Sequence, residues 1–217
     1  GNSELVADLR NHRPDVRELW CPGTILNAQR FEQTEMAVFT FGMAHKIRVP
    51  LYRKLRDLLD QTGHSYSVYV STALHENTSF DGSFVVTFEE LQAIFEGRVY
   101  FLGYLSDTAV YNHLLNASLL AAFFERGLRA NNTTVNAAMD CGCAVLTNLD
   151  EHSPAGLTHD DNVLDIHKCT QLPSAAELRR IGRAARRTAQ TQYGWARLVE
   201  QLRPVTVPVK SVFRNEP

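Results

Sequence analysis

Two loops of this sequence contain residue types that could bind a phosphorylated ligand. In the first loop, Gly42, His45 and Lys46 follow an apolar run and precede Pro50, which suits a first helical position. Glycine lets the backbone approach a ligand, and basic side chains add charge beside the free N–H groups of a helix N-terminus. That combination suits a phosphate. A strand-to-helix turn with solvated basic residues would show the same pattern, because a lone glycine matches neither the dinucleotide fingerprint nor the P-loop.

The second loop spans residues 125–134 and ends in small polar side chains. Asn132, Thr133 and Thr134 precede a short predicted helix. Asn132 or Thr133 can cap this helix through a side-chain oxygen. Alternatively, the free N–H groups of the first helical turn cradle a diphosphate together with the threonine hydroxyls. The sequence leaves both interpretations open.

Glu125 leaves an apolar strand at the start of the second loop. A carboxylate at this place suits the hydroxyl groups of a ribose or a sugar, because it accepts their hydrogen bonds. An ion pair with Arg126 or Arg129 is an interpretation of comparable weight. Residues 150–154, with the sequence Asp-Glu-His-Ser-Pro, follow a later strand. They are interpreted as a rim loop that either touches the ligand or forms a solvated turn.

Six short apolar runs alternate with helical patterns along the chain. This alternation predicts an α/β fold, a doubly wound parallel six-stranded Rossmann-like sheet. Residues 4–35 are weakly organised. The predicted strands are 36–41, 66–70, 99–102, 118–124, 144–147 and 162–166. The predicted helices are 50–62, 87–95, 107–115, 135–141, 174–192 and 195–202, and capping boxes begin at Thr87 and Ser174.

The commonest order of such a sheet, 3-2-1-4-5-6, places the first and fourth strands side by side. In doubly wound sheets a ligand binds at the carboxyl ends of the two strands where the order reverses. The loops at that place are 42–50 and 125–134, which are the two polar loops. Sequence pattern and topology therefore predict one crevice.

Length and composition describe an ordinary folded protein. The chain has 217 residues and a net charge of −2, with a pI near 6.5, which gives no support for nucleic-acid binding. No apolar run approaches the roughly 20 residues that span a bilayer. No secretory signal is visible. The first three residues resemble the remnant of an expression tag, so we expect that the native N-terminus is missing.

A close cysteine pair and an arginine stripe are two further candidate sites. Cys141 and Cys143 are the only close cysteine pair, and without further ligands at zinc spacing we expect packed, reduced thiols and no metal site. Five arginines give the predicted helix 174–192 a basic stripe. A solvated face is the usual explanation, and contact with a partner domain or with anionic lipid is the alternative. These arginines are Arg179, Arg180, Arg183, Arg186 and Arg187.

Several motifs, in this order and spacing, resemble the C-terminal, nucleotide-sugar-binding domain of GT-B glycosyltransferases. The likeness is to the large retaining group 1 family, which includes sucrose synthases and bacterial polysaccharide enzymes, and it covers about residues 36–202. The motifs are Val99-Tyr-Phe-Leu-Gly103, the segment 114–124, Ala138-Met-Asp-Cys-Gly142 followed by Val145, and Tyr193-x-Trp195. Tyr193 and Trp195 are expected to pack against helices.

The resemblance implies roles for the residues of the crevice. It implies that Glu125 is catalytic. This chain departs from the family at two positions, because the two glutamates that the family usually carries fall on Arg129 and Ala137. Glu125 takes the role of the first glutamate if the loop is a few residues longer. The substrate-binding residues implied are Gly42, His45, Lys46, Gly103, Tyr104, Asn132, Thr133 and Thr134.

The resemblance also implies a domain organisation and a reaction. Residues 1–35 would be a connector or remnant of a preceding domain, 36–202 the donor-binding domain and 203–217 a C-terminal tail. The donor would be a nucleotide-diphosphate sugar, used without a metal or other cofactor. A hexosyltransferase would need a missing N-terminal GT-B domain, so the isolated domain is expected to be inactive.

The remaining expectations concern partners and competing functions. The acceptor would be an unknown glycan or lipid-linked molecule, and no nucleic acid is expected. The expected location is cytoplasmic, with the inner face of a membrane as a further option. The alternative function is a non-catalytic Rossmann-like nucleotide-binding or regulatory module. An oxidoreductase domain is disfavoured, because no glycine fingerprint follows the first strand.

Overall fold

The computed structural model describes residues 3–18, 33–43, 47–73 and 82–202. The chain divides into two compact units, Gly1–Gln33 and Thr34–Pro217. In the first unit, helix α1 (Ser3–Arg10) buries Val6. The sequence analysis found no element there. The assignment of residues 1–35 to a connector remains a prediction, and the predicted tail, 203–217, lies outside the described residues.

Six parallel strands form one sheet in the predicted order, 3-2-1-4-5-6. Their apolar side chains alternate between two cores, so that Val38 faces one core and Phe39 the other. Burial on both faces explains why the strands are continuous apolar runs in the sequence. The predicted fold class is confirmed. The strands are β1 (Met36–Met43), β2 (Tyr66–Ala73), β3 (Val99–Phe101), β4 (Leu119–Ala121), β5 (Val145–Thr147) and β6 (Leu164–Asp165).

Helices cover both faces of the sheet. Leu55 of α2 and Leu91 of α3 lie in the first core, whereas Leu114 of α4 and Met139 of α5 lie in the second. The helices are α2 (Val49–Gln61), α3 (Gly82–Phe95), α4 (Asp107–Asn116), α5 (Thr133–Cys141), α6 (Ala175–Thr188) and α7 (Trp195–Leu202), and a π-helical turn (Ala189–Tyr193) separates the last two.

Several predicted bounds were wrong, among them those of two helices and of the fourth strand. The helix predicted to begin at Thr87 begins at Gly82. The predicted helix 174–192 changes to a π-helical turn after Thr188. The fourth strand stops at Ala121, short of the predicted end at Phe124, and the Phe124 amide donates to the Asn148 side chain at 2.8 Å.

Close packing fixes the position of α6 against α5. The C-cap of α5 is Gly142, in the left-handed conformation at φ +75° that favours glycine. Its carbonyl oxygen lies directly against Gly182 of α6, where a Cβ atom would overlap it. The two glycines therefore let the helices approach more closely than any side chain would allow.

We predict that Gly182→Ala destabilises the protein. Alanine normally favours a helix by about 1 kcal/mol over glycine. Here its methyl group meets backbone that must shift, and overpacking of this kind costs about 1–3 kcal/mol. Chemical unfolding measures the change in free energy of unfolding. The exposed Ala176→Gly variant reports the intrinsic preference of the same helix, and a Gly182→Ala variant more stable than wild type would contradict this packing.

Candidate functional site

A cavity of about 230 Å³ opens at the carboxyl ends of β1 and β4. Gly42 at the end of β1 and residues 132–134 at the start of α5 line it from opposite sides. Parallel pairing of β1 with β4, seen at Val38–Leu119 and Phe39–Leu120, places these two segments beside each other. The structure therefore brings four of the predicted substrate-binding residues together.

Gly42 allows the closest approach across the cavity. Its φ of +135° lies in the region that favours glycine, and a Cβ atom there would lie 3.7 Å from the Thr134 hydroxyl oxygen. A larger side chain would project toward α5 and occupy the cavity. The absence of a side chain keeps this space open to a ligand.

The N-terminus of α5 faces the cavity with free backbone donors. Asn132 is the N-cap, and its side-chain oxygen accepts a hydrogen bond from the Val135 amide at 2.9 Å. The capping interpretation of Asn132 is thus correct. Among the described residues, the amides of Thr133 and Thr134 have no acceptor, as expected for the first turn of a helix. This end of the cavity can donate hydrogen bonds to an anion.

Tyr52 and Phe123 form a rigid floor. The Tyr52 hydroxyl donates to the Thr40 hydroxyl at 3.1 Å, which in turn donates to the Ala121 carbonyl at 2.9 Å. The Tyr52 ring meets the Phe123 ring edge-on, with 5.2 Å between centroids. Burial raises the pKa of Tyr52 to about 12, so the phenol is neutral at physiological pH. The floor adds no charge of its own.

Arg48 and Glu125 connect the two loops, and each directly follows a residue that lines the cavity, Ile47 and Phe124. The Arg48 Nη2 atom lies 3.2 Å from the Glu125 Oε2 atom. The sequence analysis expected any ion pair of Glu125 to involve Arg126 or Arg129, and it missed Arg48, because residues 77 positions apart give no pairwise signal. The Arg48 Nε atom is buried and has no partner among the described residues. The Arg48 guanidinium is thus incompletely bonded.

Arg129 is bound to Asp150 and not to Glu125. Two parallel hydrogen bonds of 2.7 and 2.8 Å join the guanidinium to the carboxylate. The Asp150 carboxylate also accepts from the His152 amide and the Ser153 hydroxyl. The Arg129 hydrogen bond is the largest cause that lowers the pKa of Asp150 to about 2. Asp150 is therefore an ionised carboxylate that holds the rim together.

Asn148 ties the two rim loops at their bases. Its side-chain oxygen accepts from the Phe124 amide and its NH₂ group donates to the Phe124 carbonyl, both at 2.8 Å. The Asn148 carbonyl accepts from the Leu128 amide at 2.9 Å. The Asn148 side chain thus takes the place of a backbone partner beyond the end of β4. No periodic pattern in the sequence indicates this role. These bonds fix the direction in which Glu125 leaves the sheet.

Several predicted residues lie elsewhere. Gly103 and Tyr104 follow the edge strand β3, where the Ser71 hydroxyl donates to the Gly103 carbonyl at 2.9 Å, and neither lines the cavity. Their substrate-binding role remains a prediction. His45 and Lys46 lie outside the described residues. Trp195, expected to pack against a helix, is 82% exposed, because α7 buries none of its residues.

In the part of the chain that the structure describes, no group of three or more His, Cys, Asp or Glu side chains is arranged to hold a metal ion. None of the helices described is both long and apolar enough to traverse a bilayer.

Three solved glycosyltransferase-related structures resemble this one. HepE from Anabaena, solved with UDP-glucose, has a TM-score of 0.56 and 15% identity over 94% of this chain and 53% of its own. Sucrose-phosphate synthase from Thermosynechococcus elongatus has a TM-score of 0.57 and 14% identity over 94% and 50%. The C-terminal domain of the group 1 glycosyl transferase LpcC from Francisella tularensis has a TM-score of 0.51 and 15% identity over 74% and 87%.

The chain has the fold of a GT-B glycosyltransferase domain. The resemblance predicted from the motifs is confirmed at the level of the fold, which is what identities near 15% can show. The chain spans about half the length of the HepE and sucrose-phosphate synthase chains. No protein-family model and no curated protein sequence matches it.

The Arg129–Asp150 pair predicts a specific pH dependence. The pKa of Asp150 in the folded protein, about 2, lies below the ordinary value of 3.8, so the carboxylate stabilises the fold above pH 4 and loses that effect as the pH falls toward 2. We expect Asp150→Asn to lower the Tm at neutral pH, and the difference from wild type to shrink across this acidic range.

The exposed neighbour Glu151 supplies the control. Glu151→Gln should leave the Tm unchanged at every pH. A Tm difference for Asp150→Asn that stays constant from neutral pH to pH 2 would show that the Asp150 charge does not stabilise the rim.

Proposed function

We propose that this chain is the donor-binding domain of a glycosyltransferase and holds the diphosphate of a nucleotide sugar in the cavity between β1 and α5. The observation that carries the proposal is the juxtaposition of Gly42 with the Thr134 hydroxyl at a helix N-terminus. A diphosphate needs close backbone approach and several donors, and this place offers both. The solved HepE structure contains UDP-glucose, which supports a nucleotide sugar as the ligand class.

Two groups supply the positive potential that a diphosphate requires. The amides of Thr133 and Thr134 lie at the positive end of the α5 dipole. Arg48 directly follows Ile47, which lines the cavity, and its buried Nε atom is unbonded among the described residues. A guanidinium binds phosphate oxygens through paired hydrogen bonds. Lys46 is proposed as a second cation from its place in the sequence. No metal is required in this arrangement.

Glu125 is proposed to act on the sugar side of the ligand. Its carboxylate neutralises Arg48 through the ion pair. When Arg48 turns to a phosphate, Glu125 becomes free to accept hydrogen bonds from hydroxyl groups of the donor. With 75% of its side chain exposed, Glu125 can make this change without leaving an unsatisfied charge in the core.

Transfer of the glycosyl group would release a nucleoside diphosphate. Negative charge accumulates on that leaving group, and Arg48 together with the α5 N-terminus would stabilise it. We propose a hexosyl donor and a glycan or lipid-linked acceptor. The acceptor site would belong to a second domain, since the chain corresponds to about half of the HepE chain. By this proposal, the chain alone does not transfer sugar.

Helix α7 presents a surface suited to that second domain. Its Trp195, Leu198, Val199 and Leu202 side chains are all exposed. A contiguous apolar helix face of this kind marks an interaction surface. We propose that the second domain covers it, which would also bury the tryptophan.

A non-catalytic nucleotide-binding module is the second candidate. The observation that favours it is the Arg129–Asp150 pair, which occupies one of the positions where the family resemblance expects a glutamate. With a pKa near 2, Asp150 cannot act as a proton donor at neutral pH. Such a module would bind the same ligand, so binding alone does not separate the two candidates, and a sugar-transfer assay with the second domain present does.

Isothermal titration calorimetry tests the ligand class. We expect UDP or GDP to bind and NAD not to bind. Arg48→Gln should weaken nucleoside diphosphate binding at least about tenfold, because a charge-assisted hydrogen bond contributes about 1.5–3 kcal/mol. Binding of the corresponding nucleoside should not change.

Arg53→Gln is the matched control, because Arg53 is an exposed arginine on α2, the helix whose N-cap residue is Arg48. The site assignment would be wrong if both variants weakened UDP equally, or if Arg48→Gln weakened uridine as much as UDP. Binding of NAD in preference to the diphosphates would contradict the proposed ligand class.

A further inference from the structure

Helix α6 divides sharply into a buried side and a cationic side. The buried side consists of Leu178, Ile181, Gly182, Ala184 and Ala185. Gly182 lies against the Gly142 carbonyl, so the helix cannot rotate about its axis without a clash. Every arginine on the opposite side is therefore held toward solvent by the packing of the core. The exposed arginines are Arg179, Arg183, Arg186 and Arg187, called here the arginine face.

The arginine face has no neutralising partner in the part of the chain that is described. Arg180, on the flank of the same helix, pairs with Glu177 at 2.7 Å and donates to the Asp160 carbonyl. None of the four exposed arginines forms an ion pair with a described residue. Arg179 and Arg183 are separated by four positions, as are Arg183 and Arg187, so like charges face each other on the helix surface and destabilise it. An anionic partner would relieve that repulsion.

The dimensions of the arginine face suit a charged plane. Eight residues separate Arg179 from Arg187, which corresponds to about 12 Å along the helix axis. Helical periodicity places all four arginines on one side of α6. A flat array of headgroup phosphates can meet them together, whereas a small anion would meet one or two.

We propose that the arginine face of α6 binds the surface of a bilayer that contains anionic phospholipid. Clusters of four to eight basic residues on an amphipathic helix are typical of proteins that bind anionic lipid. Nucleic acid is the less favoured polyanion, because domains that bind it usually have a pI above about 9, whereas the pI here is near 6.5. Helix α6 would lie on the membrane surface and would not cross it.

Co-sedimentation of the full 217-residue chain with vesicles tests this proposal. We expect binding to vesicles of equimolar phosphatidylcholine and phosphatidylglycerol, and none to phosphatidylcholine alone. Each basic residue near an anionic surface contributes a factor of about five in partitioning. Replacing all four arginines of the face by glutamine should therefore lower partitioning at least about a hundredfold, and added salt should weaken wild-type binding through screening.

A matched variant removes the same charge from scattered positions. Its substitutions are Arg17→Gln, Arg53→Gln, Lys168→Gln and Arg197→Gln, all at exposed residues. This variant should retain most of the wild-type binding. An equal loss in both variants would overturn the proposal, as would a wild-type protein that ignores anionic vesicles or binds duplex DNA more tightly than them. Circular dichroism confirms that each variant is folded.

Discussion

Parallel pairing between β1 and β4 is the constraint on which the site depends. Only two residue pairs define the ladder, Val38–Leu119 and Phe39–Leu120, yet the Thr40 hydroxyl extends the contact by donating to the Ala121 carbonyl. Because the strands are parallel, both loops leave the sheet at the same edge. The start of α5 is thereby brought to Gly42. Without this pairing, Gly42 and the N-terminus of α5 would lie apart.

The charges around the cavity are arranged in two pairs of different character. Arg129 and Asp150 form a bidentate pair that closes the rim and gives Asp150 its low pKa. Arg48 and Glu125 share a single, longer contact, and both are partly solvated. Surface pairs of the second kind are weak. An anionic ligand can therefore compete for Arg48, while the rim stays intact.

The sequence predicted the sheet well because its evidence is local. Continuous apolar runs, the Ser174 cap and Gly142 each determine a nearby element boundary. It also located the crevice, because general rules for parallel sheets give the strand order. Those rules require no knowledge of which side chains contact each other. It missed Arg48, since that role arises from an ion pair across the fold. It also misjudged Trp195, because a signature residue carries no information on which surface will cover it.

The central claim is that the N-terminus of α5 binds a diphosphate. Backbone amide NMR of the isotope-labelled chain during titration with UDP tests it most directly. The account predicts large, saturable shifts for the amides of Thr133 and Thr134, with only small shifts for the same amides when uridine is added. Saturable binding of UDP that leaves both amides unshifted, while residues at another surface respond, would contradict the account.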